Sequence, residues 1–180
     1  MDILAHMLWT NYGTRVVNKK LIKKKKEPIK IIPMMIWSIF PDLFAFGIPT
    51  TIAIFLSLWT RDFNWKLLLD HHLASGFLLS DLPKFLYQFS HSLVIWFLVF
   101  SLVWIIAKKP QLLLFGWLFH ILIDIFSHSV DFYPTPIFFP ISNWHFAYGI
   151  RWSNPYFMLV NYSLIVIVGI YLYIKEKKKI

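Results

Sequence analysis

Residues 111–130 read QLLLFGWLFHILIDIFSHSV and are the stretch that decides how this chain folds. The segment is almost wholly apolar over about 20 residues, the length that a helix needs to cross the hydrocarbon core of a bilayer. It nevertheless carries His120, Asp124 and His128, spaced four residues apart. On an α-helix, residues at this spacing rotate by about 40° per step and so share one face. The sequence therefore predicts a membrane helix with a single polar face.

The composition of the whole chain also favours a membrane protein. Hydrophobic residues make up 58% of the 180 positions and aromatic residues 19%, whereas soluble domains are usually about 45–50% apolar. Cysteine is absent, which excludes a disulfide framework, a thiolate metal site and a cysteine nucleophile. Any bound metal must therefore be held by nitrogen and oxygen ligands.

Apolar runs and their interruptions predict an all-α fold, a polytopic membrane helical bundle of four to five spans in a single integral membrane domain (residues 1–180). The predicted spans are residues 2–18, 31–59, 85–107, 111–130 and 155–174. The predicted outer connection is residues 131–154. Prolines and a glycine interrupt residues 31–59, which predicts one kinked span or two broken pieces.

Two segments have less certain membrane positions. Residues 1–18 are long enough to cross as a helix, and we favour a short crossing with the N-terminus outside. An interfacial helix is the alternative, given Thr10, Asn11 and Thr14. Residues 60–84 are amphipathic and are predicted to connect two spans along the membrane interface.

The formal charge of +9 at first suggests a nucleic-acid partner, but its distribution indicates membrane orientation. Most of the 18 Lys and Arg residues flank apolar runs, at residues 15–30, 108–109 and 175–179. Cytoplasmic connections of membrane proteins carry this excess of positive charge. We therefore predict a multi-pass protein of the cell membrane with a cytoplasmic C-terminus and no nucleic-acid partner.

Ionisable side chains within the predicted spans are the main functional signal, because such groups are costly in a bilayer and by default mark function. Counting about 1.5 Å per residue from the cytoplasmic ends places them all in the middle-to-outer part of the bilayer. Imidazoles and carboxylates that converge suit a divalent cation such as zinc, with manganese as the alternative. The predicted metal ligands are His6, Asp42, His91, His120, Asp124 and His128. Alternatively, each could satisfy freed backbone groups or pack between helices.

Five short motifs resemble, in order, the bacterial membrane-bound, metal-dependent hydrolase family, which is LexA-regulated in some members and distantly similar to zinc-dependent phospholipase C. The resemblance covers roughly residues 1–155. The motifs are MDILAHMLW at 1–9, FPDLFAF at 40–46, SHSLVI at 90–95, HILIDIFSHS at 120–129 and YPTPIFFPIS at 133–142.

The resemblance implies a ligand set and an activity. The positions that match the family's metal ligands are His6, Asp42, His91, His120 and Asp124. Two positions depart from the family's pattern. The acidic segment offers one carboxylate, Asp42, and Tyr87 stands where a further His is common.

The predicted function is that of a membrane-embedded, metal-dependent hydrolase acting on a phosphoester or a lipid-type ester. Asp42 and Asp124 are the predicted catalytic residues, and His128 is a further ligand or a hydrogen-bond partner of one. The partners are membrane lipid and a small-molecule or lipid substrate, and no oligomeric state is predicted. A transporter or ion-binding protein that uses the same cluster, and a catalytically silent scaffold, are the alternatives.

Five further residues lie in the predicted connections. His145 lies in the outer connection and could cover the site or supply an extra ligand. Arg151 and Lys84 are on the same predicted side and could meet an anionic substrate. The His71–His72 pair is predicted to be solvated.

The orientation can be tested directly, because the chain has no native cysteine. Ser142→Cys lies in the predicted outer connection and should react with an impermeant thiol reagent in intact cells. Lys178→Cys lies in the predicted cytoplasmic tail and should react only after the cells are lysed. The reverse labelling pattern would overturn the orientation.

Overall fold

The computed structural model describes residues 1–60 and 81–177. These residues are mostly helical, as predicted, and within them only Ser129 and Phe132 form a β-bridge. The helices are α1 (Ile3–Lys23), α2 (Ile31–Asp42), α3 (Ile48–Thr60), α4 (Leu82–Ser90), α5 (Leu93–Ala107), α6 (Phe115–Ser127) and α7 (Pro155–Lys177). Most of the predicted interfacial connection at 60–84 lies outside the described residues.

Two stretches of the described chain are long and apolar enough to span a membrane. Ile31–Trp59 has 29 residues and a mean hydropathy of 1.8, and Pro155–Lys177 has 23 residues and a mean hydropathy of 2.1. Helices α4 and α5 make a third span if they count as one broken element, bent by 62°. Leu112–Ser127 is apolar but shorter. By length and composition, two to three spans are therefore found where four to five were predicted.

The described residues bury several polar and ionisable side chains and expose many large apolar ones. Among the largest fully buried side chains are His6, His91, His120, Thr10 and Asp124. Apolar side chains instead cover the outside, as in α5, where Ile105 is 74% exposed. A soluble protein rarely exposes contiguous apolar surface on this scale. The arrangement is stable if the surrounding solvent is lipid.

Small polar side chains hold α1 against α2. The buried face of α1 repeats every four residues, with His6, Thr10, Thr14 and Asn18. Short polar residues at a helix interface let the two backbones approach closely. At the end of this face, the Asn18 side chain donates to the Ile29 carbonyl at 2.8 Å and accepts from the Ile29 N–H at 2.7 Å. Asn18 thereby closes the connection between the two helices.

The span Ile31–Trp59 changes its winding beside Asp42. Pro41 lies inside α2, and a proline in a helix interior removes a backbone hydrogen bond. A wider π-helical turn, Leu43–Gly47, follows at once and leads into α3. Turns of this kind often occur at functional sites. Here the wide turn comes directly after the carboxylate of Asp42.

The connection at 131–154 satisfies backbone groups at two helix ends. The Leu93 N–H donates to the Ile137 carbonyl at 3.0 Å, where the chain breaks between α4 and α5. At the end of α6, the N–H groups of Ile150 and Trp152 donate to the carbonyls of Phe126 and Ser127, at 3.0 and 2.8 Å. Broken helices are tolerated at membrane depth when protein groups take up the freed backbone in this way.

The basic segments of the described chain gather at one end of the bundle. Arg15 and Lys19 of α1 both pair with Glu176 near the end of α7. Tyr162, near the start of α7, donates to Asp2 at 2.8 Å, so α1 and α7 run in the same direction. Val17, Ile29 and Phe115 line one cavity, which places the starts of α2 and α6 at this same end.

Gly116 sets the closest approach between α6 and α2. A Cβ at this position would lie 2.5 Å from the Met34 carbonyl oxygen and 3.1 Å from the Ser38 nitrogen. Both are backbone atoms and cannot rotate away. We expect Gly116→Ala to lower the unfolding free energy by about 1–3 kcal/mol, the usual cost of overpacking.

Thermal unfolding of the detergent-solubilised protein measures this effect. Gly13→Ala is the matched control, because its Cβ would meet only Phe119 at 3.9 Å and because alanine favours the helix. An equal midpoint for both variants would show that α6 and α2 do not pack as closely as described.

Candidate metal centre

Three buried side chains and one partly buried side chain, from three parts of the chain, converge on one point. Asp42 ends α2, His91 lies at the break between α4 and α5, and His120 and Asp124 face inward from α6. One ligand atom of each lies within 4.8 Å of the other three. We call these four residues the His/Asp cluster.

The distances within the His/Asp cluster suit a small cation. The two Nε2 atoms of His91 and His120 are 3.0 Å apart. Asp124 Oδ2 lies 3.4 Å from His91 Nε2 and 3.0 Å from His120 Nε2, and Asp42 Oδ1 lies 3.5 and 3.7 Å from the same two nitrogens. Tetrahedral zinc with bonds of about 2.0–2.1 Å separates its ligand atoms by roughly 3.3 Å. The four atoms are spaced as a set of ligands would be.

Hydrogen bonds on the far side of each ring determine which nitrogen faces the His/Asp cluster. His120 Nδ1 is 2.7 Å from the Ser38 carbonyl oxygen, and His91 Nδ1 is 3.2 Å from that of Tyr87. A carbonyl can only accept, so Nδ1 of His120 carries the proton. His91 Nδ1 also lies 2.9 Å from the Ser90 hydroxyl, which can donate to it. In the neutral His120 ring, Nε2 then presents a lone pair to His91 and to the carboxylates. Metal-binding histidines are commonly oriented by such carbonyls.

This arrangement needs positive charge at its centre. His91, His120 and Asp124 are fully buried, and Asp42 is 15% exposed. Two carboxylates and the His120 Nε2 lone pair lie within 4.8 Å of one another and repel each other, and burial removes the water that would screen them. A divalent cation, or protons bound to the rings, would relieve the repulsion.

His6 extends the site on the side of α1. Its Nε2 lies 3.1 Å from Asp124 Oδ1, and its ring stacks on His120 with centroids 3.8 Å apart. Ser127 Oγ donates to the same Asp124 oxygen at 3.1 Å, and the Met1 backbone nitrogen also contacts it. Asp124 thus contacts groups from α1, from α6 and from the break at His91.

Unpartnered buried atoms provide a test of whether a metal fits. Among the described residues, His6 Nδ1 has no hydrogen-bond partner, and Asp124 Oδ2 faces only ring nitrogens, the nearest being His120 Nε2 at 3.0 Å. Buried polar groups are nearly always paired, so unpaired groups call for an explanation such as a bound ion. The donor set of imidazole nitrogens and carboxylate oxygens fits a divalent cation.

His128 reaches the same carboxylate from outside the helix. It was predicted to continue the helical face of His120 and Asp124, but α6 ends at Ser127 and His128 has an extended backbone. The helix ends there because the connection at 131–154 takes up its last carbonyls. His128 Nε2 still lies 3.6 Å from Asp124 Oδ2 and 3.2 Å from the Met1 nitrogen, and its Nδ1 lies 2.7 Å from the Tyr133 carbonyl oxygen.

Tyr87 has a role that sequence reasoning missed. Its ring stacks on His91 with centroids 3.8 Å apart. Its hydroxyl lies 3.0 Å from His128 Nδ1 and donates to the Tyr133 carbonyl at 2.9 Å. The available signal was the spacing of four residues between Tyr87 and His91, which places both on one side of a helical turn.

The weaker candidates lie away from the His/Asp cluster. His145 Nδ1 faces the Asn143 carbonyl at 3.2 Å. Arg151 lies over the Phe132 ring, 4.1 Å from its centroid, and Lys84 is exposed. The predicted solvation of His71 and His72 falls outside the described residues.

No protein-family model matches this chain, and neither a curated protein nor a solved structure matches it. The chemistry of the site is therefore argued from its geometry.

Metal binding should depend on the charge of Asp124. Asp124→Asn keeps the size of the side chain but removes the negative charge that balances a cation. We expect the variant to lose most of its bound divalent metal, measured by elemental analysis of detergent-purified, monodisperse protein. Asp131→Asn removes an exposed carboxylate and should retain the metal. Full metal content in Asp124→Asn would mean that Asp124 is a structural carboxylate.

Proposed function

We propose that the protein is a membrane-embedded, metal-dependent hydrolase that acts on a phosphoester or a lipid-type ester. The observation that carries the proposal is the His/Asp cluster, in which the Nε2 atoms of His91 and His120 lie 3.0 Å apart beside two carboxylates. A divalent cation held there would polarise the scissile group and make a water molecule acidic enough to serve as nucleophile. The resemblance to bacterial membrane-bound, metal-dependent hydrolases is part of the proposal.

The residues divide between holding the cation and handling the substrate. His91, His120 and Asp124 are fully buried and serve as ligands. Asp42 is 15% exposed and is the member of the His/Asp cluster that water can reach. That position suits a ligand that also acts as a general base, which must lie within hydrogen-bond reach of the proton it removes.

Zinc is the proposed metal, with manganese as the alternative. Two imidazoles and the Asp124 carboxylate, without a thiolate, match three-ligand zinc sites that keep a position open for substrate, and manganese also accepts such ligands. His6 and His128 approach Asp124 on other sides. We propose that they complete the coordination or orient the carboxylate.

The proposed architecture has five spans, with the N-terminus outside and the C-terminus in the cytoplasm of a bacterial inner membrane. The gathering of basic segments at one end of the bundle supports this orientation. Asp124 contacts the Met1 nitrogen at the start of α1 and His128 just beyond the end of α6. Both contacts lie toward the end of the bundle opposite the basic segments. In this orientation the site opens on the outer side.

Metal content and catalysis together test the proposal. The purified protein should hold divalent metal in a stoichiometric amount and should hydrolyse a phospholipid or a generic phosphodiester such as bis(4-nitrophenyl) phosphate. Chelation should abolish turnover, and added metal should restore it. Metal that exchanges freely without hydrolysis would favour a transporter or ion-binding protein, and absence of metal would favour a scaffold.

His128 should matter less than Asp124 for catalysis. In His128→Gln the amide can still donate to the Tyr133 carbonyl, while the four residues of the His/Asp cluster remain. Losing an outer partner of a metal ligand typically costs about 10–100-fold in affinity or activity. We expect a loss in that range for His128→Gln and complete loss for Asp124→Asn. Equal loss in both variants, at unchanged metal content, would assign His128 a direct catalytic role.

A further inference from the structure

An apolar seam runs between α1 and α6 and lies next to the candidate site. Its first part is a cavity of about 240 Å³ lined by Thr10, Gly13, Val17, Phe115 and Phe119, among others. Its second part, of about 250 Å³, lies among α1, α6 and α7 and is also lined by Phe119. We call these two adjoining cavities the α1/α6 seam.

The seam leads to the Asp124 carboxylate. Met1 and Ser127 line its second part, and both contact Asp124 Oδ1. From Phe115 to Phe126 the seam follows α6 for about 16 Å, at a rise of about 1.5 Å per residue. It therefore extends from the basic end of the bundle to Met1 and Ser127, the two residues that contact Asp124.

Two buried polar atoms along the seam have no partner in the described part of the chain. They are Thr10 Oγ1, in the first cavity, and Asn161 Nδ2, in the second. Thr10 is 2% exposed and Asn161 is 7% exposed. Asn161 Oδ1 accepts from Trp9 Nε1 at 2.9 Å, which fixes the amide so that its NH₂ group is left to donate. Both residues line the seam, whose other residues are mostly apolar.

We propose that the α1/α6 seam holds an acyl chain of a membrane lipid and presents that lipid's ester or phosphoester group to the His/Asp cluster. The inference rests on the proposed function and narrows its substrate class to a long-chain lipid.

The length of the seam and its mostly apolar walls favour a lipid acyl chain as its ligand. The walls are mostly apolar side chains, and α7, which contributes Phe157 and Asn161 to the second cavity, exposes apolar residues such as Ile167 on its outer surface. A space bordered by such surfaces in a membrane is reached from the hydrocarbon layer. An acyl chain would bury its methylenes along Phe115 and Phe119, and the unpartnered Asn161 NH₂ could donate to an ester oxygen near the head group.

Gly13 is the position at which the seam can be closed selectively. A Cβ there would lie 3.9 Å from Phe119 Cζ, in ordinary contact, so a larger side chain would extend into the seam without meeting backbone. Gly13→Leu should fill it, and Gly13→Ala should leave it open while favouring the helix. Since the chain has no cysteine, Gly13→Cys can also be filled after folding, with hexyl methanethiosulfonate.

Photolabelling tests the occupant. The full-length protein is placed in vesicles of phosphatidylethanolamine and phosphatidylglycerol that contain phosphatidylglycerol with a diazirine midway along one acyl chain. Label is expected in peptides that cover Gly13 and Phe119. Gly13→Leu, and alkylated Gly13→Cys, should lower that label by about tenfold, the factor expected when roughly two methylene groups are excluded from an apolar site. Gly13→Ala and unmodified Gly13→Cys should keep it.

Two assays separate this inference from the proposed function. Alkylated Gly13→Cys should lose hydrolysis of a long-chain phospholipid but keep its metal and its hydrolysis of bis(4-nitrophenyl) phosphate. If no substrate is hydrolysed but labelling still depends on an open seam, the lipid site stands and the hydrolase fails. Labelling that is equal in open and filled proteins, or no greater in the seam than on the outer face of α5, would overturn the inference whatever the catalytic result.

Discussion

A carboxylate buried in the middle of an apolar bundle is the constraint on which the rest of the structure depends. Asp124 is fully buried, and a charged group in such a place is strongly destabilising unless other groups compensate it. Nitrogen atoms approach it from the start of α1, from His6, from His91 at a broken helix, and from His120 and His128. The close crossing of α6 and α2 at Gly116 brings His120 beneath the Ser38 carbonyl, which orients the ring toward that carboxylate.

The sequence predicted the site residues that are revealed by helical periodicity or by an ionisable side chain within an apolar segment. His120 and Asp124 are four residues apart on one helix, so a helical reading alone puts them on one face. His6, Asp42 and His91 stood out because ionisable side chains are rare in apolar segments, and counting helical rise placed them at similar depth. The structure brings one ligand atom each of Asp42, His91, His120 and Asp124 within 4.8 Å.

Other features depend on backbone partners distant in sequence, which periodicity does not reveal. His128 leaves the helix because N–H groups of Ile150 and Trp152 take the last carbonyls of α6. The span predicted at 85–107 is bent by 62°, with Ser92 capping α5 and donating to the Phe139 carbonyl at 2.6 Å. Tyr87 stands where a further His is common in the family that the chain resembles. In the structure it contacts both His91 and His128. In each of these cases, a helix end contacts a connection whose conformation has no simple sequence pattern.

X-ray absorption at the metal edge of the purified, full-length protein tests the central claim most directly, because it reports the ligands of a bound cation without relying on catalysis. The His/Asp cluster predicts nitrogen and oxygen neighbours at about 2.0–2.1 Å, with the outer scattering of at least two imidazole rings and no sulfur. In His91→Asn and His120→Asn the imidazole scattering should fall while the oxygen neighbours remain. A protein without metal, or a metal surrounded by oxygen alone in the native chain, would contradict the account.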